Sequence, residues 1–169
     1  GNAEVLVALR KIVKKKDFRP KSVEEISKLL LVSSHMPYQD KTEQNSTACD
    51  NLTAKLGGEN VTLKTDNLTA TFVQYAIETL NLDLKNQSAG GNWDDEVNLQ
   101  NLEDRIRMVL TYLIAQCVPL GRKNQDGFLI VLANGNTADA LMGCSTKYGV
   151  GSGDISPLGS LNKSHIHDI

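Results

Sequence analysis

The stretch FLIVLANGNTADALMGCSTKYGVGSGDISPLGSLNK, residues 128–163, joins two halves of opposite character. FLIVLA (128–133) is the most hydrophobic hexamer of the chain. An unbroken apolar run of that length predicts a strand buried on both faces. GCSTKYGVGSGDISPLGSLNK (143–163) has five glycines, Lys147, Asp154 and Lys163, and too little apolar content to build a core. Its glycines permit backbone N–H groups to converge on an anion. Lys147 and Lys163 can supply point charges, and Asp154 can accept hydrogen bonds from sugar hydroxyls or a polar ring substituent. Composition by itself leaves the loop open between a ligand site and an ordinary surface connection.

Outward from this stretch, short strands alternate with helices. Val5, Leu6, Leu9, Ile12 and Val13 mark one face of a first helix, and Ser22 with Glu25 predicts a capping box opening a second. LLLV (29–32) reads as a brief buried strand. Residues 44–56 read as a helix stopped by Gly57–Gly58, and NVTLK (60–64) as an alternating strand. Leu68, Phe72, Val73, Ala76, Ile77 and Leu80 mark the next helix. The polar stretch 82–95, with Gly90–Gly91 and Trp93, is long for a connection and predicts a mobile or functional loop. Leu99, Leu102, Ile106, Val109, Leu113 and Cys117 predict a long helix over 96–118. KSHIHDI, from 163, reads as the start of another. This order predicts an α/β fold with a parallel sheet flanked by helices. In such sheets ligands bind outside the carboxyl ends of the strands. The expectation is therefore that 33–37, 65–66 and 134–139 gather at one edge.

The chain's 169 residues fit one domain with a sizeable core, and 40% hydrophobic with 22% charged content is ordinary for a globular protein. A formal net charge of −2 gives no reason to expect nucleic acid or an anionic membrane as partner. The basic run Lys14–Lys16 reads as a solvated helix C-terminus. No apolar stretch approaches the length of a membrane span, and the N-terminal segment has helical spacing with early charges, unlike a signal peptide. Three cysteines without CxxC spacing read as reduced thiols, which suits a cytoplasmic location. The six Asn-x-Ser/Thr sequons read as chance.

On the long helix, Asn98, Asn101, Arg105, Met108 and Tyr112 form a stripe beside the apolar one. Arg107 has Glu103 four residues earlier as a partner; Arg105 has no carboxylate in that position and is freer to bind a ligand phosphate or carboxylate. His35 lies at a strand end and could touch a base or phosphate. His165, His167 and Asp168 do not share one helix face and do not read as a metal cluster. No Ser/His/Asp or Cys/His arrangement can be argued from spacing.

These residues also resemble a known family. QNLEDRIRMVLTYLIAQ (100–116) followed by the 128–163 stretch resembles the synthetase domain of glutamine-dependent NAD synthetases. The ordered features are an RxRM helix, a strand, a small-residue turn, an acidic residue, G-x-x-TKY, a Gly/Ser loop, D-I-x-P-x-G and a lysine. The likeness is strong over 96–163. It is looser but collinear over 1–95, where EVLVALRKIV and LLVSSHMPYQ keep their order.

The resemblance implies a Rossmann-like parallel sheet of the ATP pyrophosphatase type (adenine nucleotide alpha hydrolase-like), truncated at both ends. It implies ligase chemistry: ATP adenylates the nicotinate carboxylate of deamido-NAD, and ammonia from a glutaminase domain displaces AMP to give NAD. By position, Arg105, Lys147, Asp154 and Asn101 would contact deamido-NAD. Asn134, Lys163, Met36 and His35 would contact ATP, and Asp139 would hold Mg²⁺ or orient the substrate. A homo-oligomer is implied as well.

Three departures accompany this resemblance. The family's SGGxDS loop falls upstream of the matched region and is not in these 169 residues; neither is a glutaminase domain, so little or no turnover is expected of this chain alone. Ala133–Asn134 stands where Gly-Ser/Thr is usual. Asp139 stands where Glu is usual, one methylene shorter. A GMP synthetase-type amidotransferase, or a non-catalytic nucleotide-binding or assembly module, is the alternative.

Overall fold

The computed structural model describes residues 2–37, 43–122 and 127–168. They divide into two compact units: Gly1–Lys64 with Leu113–Leu129, and Thr65–Tyr112 with Ile130–Ile169.

In the first unit, α1 (Asn2–Ile12) is followed by α2 (Val23–Leu30), β1 (Val32–His35), α3 (Glu43–Leu56) and β2 (Glu59–Thr62). Leu9 and Val13 are the buried residues of the α1 face. The helix ends in a left-handed turn at Lys14 (φ 53°), with Lys15 N–H bonded back to the Arg10 carbonyl. Lys14 and Lys15 thus close the C-terminal turn of α1, and the three lysines are exposed, as the sequence predicts. α2 opens at the predicted Ser22 cap, with Ser22 Oγ accepting the Glu25 N–H, but the Glu25 carboxylate accepts the Lys21 N–H at 2.7 Å rather than that of Ser22, so the predicted capping box is only half formed. LLLV is not a strand. Leu29 and Leu30 finish α2, Leu31 caps it, and extended pairing begins only at Val32.

β1 and β2 pair in parallel, from Val32↔Glu59 to His35↔Thr62, and α3 connects them while packing on both. Polar groups tie this packing together. Ser33 Oγ lies 2.7 Å from Thr53 Oγ1 on α3 and donates to Asn60 Oδ1 on β2 at 2.9 Å. α3 stops where the sequence predicts, with Gly57 at φ 74° and Gly58 N–H bonded to the Thr53 carbonyl. A Cβ at Gly57 would fall 2.9 Å from the Glu24 Cα, so α2 approaches the turn too closely for a side chain. The last turns of α5 (Trp93–Arg122) also belong here. Arg122 donates to the Leu29 carbonyl and to the Glu59 carboxylate.

The second unit holds α4 (Asp66–Leu80), a short 3₁₀ turn (Gln87–Ala89), most of α5, α6 (Thr137–Leu141) and α7 (Lys163–His167). Its buried apolar residues include Leu99, Ile106, Met108, Val131 and Ala133. The apolar stripe read along α5 therefore holds only for its first half. Val109 (69% exposed) and Leu113 (52%) face outward, Cys117 is exposed, and Met108, assigned to the polar stripe, is a core residue.

The connection 82–95 is anchored at several points. Asn92 and Asp95 exchange backbone-to-side-chain bonds at the start of α5, and Gln87 N–H donates to Glu96. A Cβ at Gly91 would collide with the Lys85 carbonyl.

FLIVLA departs furthest from expectation. It is extended, but its one bridge is a parallel pairing of Leu132 with Ile155. Val131 and Ala133 are buried, whereas Phe128, Ile130 and Leu132 are exposed. An extended chain presents alternate side chains to opposite sides. Here only one side meets a packed layer among the described residues. No described helix is long and apolar enough to cross a membrane.

Candidate functional site

The loop 143–163 is fixed to α5 and to the extended segment by bonds from its chemistry-bearing residues. Thr146 Oγ1 donates to Asn101 Oδ1. One turn further along α5, Arg105 Nε donates to the Lys147 carbonyl at 3.1 Å. Two turns beyond, Tyr112 OH donates to Asp154 Oδ1 at 2.9 Å. The other Asp154 oxygen accepts the Val131 N–H at 2.8 Å. The polar stripe of α5 is thus a rail along which the loop is pinned: Arg105 meets Lys147, Asn101 meets the neighbouring Thr146, and Asp154 is held two turns on, at Tyr112.

Backbone contacts complete the attachment. Asp154 N–H donates to the Val131 carbonyl, and Ala133 N–H to the Ile155 carbonyl. Gly153 is required for this approach, because a Cβ there would sit 2.7 Å from the Ala133 nitrogen and 2.8 Å from the Val131 oxygen.

Asp154 acts on Tyr112. The hydrogen bond to the carboxylate, followed by desolvation and the carboxylate's charge, holds the Tyr112 phenol above its ordinary titration range. Lys147 is exposed, with Nζ 5.0 Å from the ring centroid of Tyr148. That distance is within cation–π range. Tyr148 itself has φ 66°, an uncommon state for an aromatic residue. Strained backbone of this kind gathers at functional sites. The Arg105 guanidinium is exposed apart from its Nε bond, while Arg107 is occupied by Glu103 and Asp104, as the i,i+4 spacing predicted.

Beneath the loop lies a cavity of about 200 Å³, lined among others by Asn134, Asn136, Asp139, Thr146 and Ser156. Asp139 plays a structural part in it. Asn136 caps α6 by accepting the Ala138 and Asp139 N–H groups, and Asp139 Oδ2 accepts from the Asn136 N–H and from its side-chain amide. The remaining oxygen, Oδ1, lies 3.6 Å from Lys163 Nζ. Asp139 and Lys163 therefore meet, and Asn134 shares the cavity with Asp139. Spacing alone did not single out Thr146, Asn136 or Ser156. An Asn with Asp three residues later is a legible cap signal, but the Thr146–Asn101 bond has no local one.

His35 and Met36 belong to the first unit. His35 ends β1, accepts the Leu63 N–H on its carbonyl, and has a buried Nε2 without a partner among the described residues. Such a group is costly unless something else satisfies it. In the second unit the hydroxyls of Thr65 and Thr69 are likewise buried and unpartnered. Among the described residues no three His, Cys, Asp or Glu side chains gather as a metal site.

A sequence model of the NAD synthase family matches residues 11–169. The chain thus belongs to the NAD synthase family. It is 30% identical over 167 residues to a human protein described as a glutamine-dependent NAD(+) synthetase, covering 98% of this chain and 23% of that protein. The chain spans about a quarter of the length of such relatives. In three dimensions it is similar to a glutamine-dependent NAD(+) synthetase from Cytophaga hutchinsonii, with TM-score 0.69 and 15% identity over 86% of this chain and 22% of that one. It is also similar to an NH3-dependent NAD synthetase from Campylobacter jejuni, with TM-score 0.59 and 25% identity, covering 81% of this chain and 49% of the other. The parallel α/β fold is the fold of those enzymes.

Proposed function

We propose that this chain contributes the deamido-NAD surface and part of the ATP surface of an NAD synthetase. The observation that carries the reading is the pinning of Lys147 and Asp154 to the α5 stripe beside Arg105. In that reaction the nicotinate carboxylate attacks the α-phosphorus of ATP, pyrophosphate leaves, and ammonia then displaces AMP from the acyl adenylate. Deamido-NAD, ATP and the acyl adenylate are all anionic. The chain's share of the work is to position charge and neutralise it, which needs no protein nucleophile. Arg105 and Lys147 neutralise the dinucleotide's phosphates, and Asp154, with its lone pairs oriented by Tyr112 and Val131 N–H, accepts from a polar group of the substrate. Lys163 and Asn134 are the second unit's candidates for the nucleotide; in the first unit, His35 Nε2, buried and without a partner among the described residues, and Met36 are the candidates the family resemblance gives for ATP.

Mg²⁺ takes one or two carboxylates and completes its shell with phosphate and water. Asp139 offers Oδ1 for this, with Lys163 as its competitor. When bound, the ion would offset phosphate charge. A cytoplasmic location, an ammonia supply from a glutaminase domain, and homo-oligomeric assembly accompany the proposal.

Calorimetry with deamido-NAD tests it. Micromolar binding lost in Arg105→Ala and in Lys147→Ala is the expected result; unchanged affinity in both would sink the assignment. One observation favours a second reading, a nucleotide-binding module that lacks the metal step: Asp139 is held by its own helix cap and by Lys163. ATP titrations with and without Mg²⁺ separate the two. Magnesium dependence lost in Asp139→Asn belongs to the ligase reading, and magnesium-indifferent binding to the module.

A further inference from the structure

A cavity of the first unit, about 1060 Å³, lies far from neutral: its lining includes Lys15, Lys16, Arg19, Lys21, Lys28 and Arg122. Three carboxylates also line it, and two of them are engaged. Glu59 pairs with Arg122, and Glu25 accepts the Lys21 N–H. Asp17 is the third. The lining is therefore net positive in a chain whose formal charge is −2. Lys15, Lys16, Arg19, Lys21 and Lys28 have no ion-pair partner among the described residues.

The walls are held in place. Arg122 clamps the Leu29 carbonyl and Glu59 at one side, Arg10 Nε holds the Phe18 carbonyl at 3.0 Å, and the Ser22–Glu25 bonds fix the start of α2. The left-handed turn at Lys14 directs Lys15 and Lys16 out of α1 and into this lining. Like charges at such separations repel, and a cavity that gathers them on fixed walls focuses an attractive field on an anion. Phe18 and Leu29 add an apolar floor.

We infer that this cavity of the first unit is an oligophosphate-binding site, lined by none of the residues proposed above to bind deamido-NAD or ATP. Lysine ammonium groups bind phosphate as point charges, and several around one cavity favour a ligand with several adjacent phosphates over a single one. Inorganic tripolyphosphate and a nucleoside triphosphate share that chemistry.

The test is calorimetry with sodium tripolyphosphate, ATP and orthophosphate on the 169-residue chain. The expected result is saturable tripolyphosphate binding, about tenfold or more tighter than orthophosphate and weakened by added salt. Lys16→Glu/Lys28→Glu makes the lining net negative at two exposed positions and is expected to abolish that binding while circular dichroism stays unchanged. An ATP component that matches tripolyphosphate and is lost in the same variant, over and above any ATP binding that depends on Lys163, identifies the nucleotide as the source; tripolyphosphate alone doing so identifies the inorganic chain. Absence of saturable binding overturns the inference. So does binding that survives the double variant but disappears in Lys163→Ala, which would place the anion in the other unit. Loss of deamido-NAD binding in Arg105→Ala leaves this test untouched.

Discussion

Residues 130–133 and the loop 143–163 sit in the same unit and exchange the roles their compositions suggest. The apolar segment, expected to vanish into a core, buries Val131 and Ala133 and leaves Ile130 and Leu132 exposed. The glycine-rich loop, with too little apolar content to build a core, is bonded through Thr146, Lys147 and Asp154 to three points on one helix stripe. Hydrophobicity pulls a side chain out of water only where a packed layer awaits it. Directional bonds need only one well-placed partner each, and α5 supplies three. Order in this unit follows the hydrogen bonds more closely than the apolar content.

The sharpest way to break that comparison is Asp154→Ala. It removes the acceptor of the Val131 N–H, a half-buried bond, and the acceptor of Tyr112. A loss of about 1–3 kcal/mol of stability is expected, because a shielded donor is left unpaired. Deamido-NAD affinity should fall by about tenfold or more. Thermal denaturation and calorimetry read the two effects. A stable, fully binding variant would mean the loop is held by something other than these bonds.

Asn136→Ala comes next. The Asn136 side chain accepts two N–H groups of α6 and donates to Asp139. Loss of such a cap costs about 0.5–2 kcal/mol. Because Asp139 would be released from the cap, magnesium-dependent ATP binding should change along with the melting temperature. An unchanged metal response would separate the cap from the site.

The origin of the site was more legible in the sequence than its geometry. The stripe Asn101–Arg105–Tyr112 follows from helical periodicity, which is local, and the loop's Lys and Asp are visible by composition. The Tyr112–Asp154 and Arg105–Lys147 bonds each join residues 42 positions apart, and no spacing rule reaches that far. LLLV misled because three leucines serve a helix end and a strand equally well; the Ser22 cap, eight residues back, decides for the helix. FLIVLA misled for a related reason. A run with no polar residue carries no alternation, so it cannot say which side is covered. Met108 was drawn to the polar stripe by its position, although the helix turns it into the core.

Tyr112→Phe probes one bond alone. The expected result is a few-fold drop in deamido-NAD affinity, smaller than for Asp154→Ala, with Asp154 still held by the Val131 N–H. Its pH signature is distinctive. The phenol's titration is raised in the folded state, so the fold retains that proton longer than the unfolded chain. The bond's contribution is complete below the ordinary tyrosine range and is lost as pH rises through the raised folded value. Absorbance at alkaline pH should show a late-titrating tyrosine that disappears in Tyr112→Phe.

The smallest effect is expected at Ile130, where the contrast between the two regions is tested from its apolar side. Ile130 is 60% exposed, and its neighbour Val131 is 4% exposed. Ile130→Thr keeps the β-branch and so the preference for extended backbone, and it changes only the exposed surface. Stability should move by no more than about 0.5 kcal/mol. Val131→Thr, the same chemistry one residue along, places a hydroxyl where no partner is arranged, and such a group costs about 1–3 kcal/mol. If the two variants melted alike, the alternation of covered and open faces along 128–133 would be wrong, and the loop's attachment to Val131 and Ala133 with it.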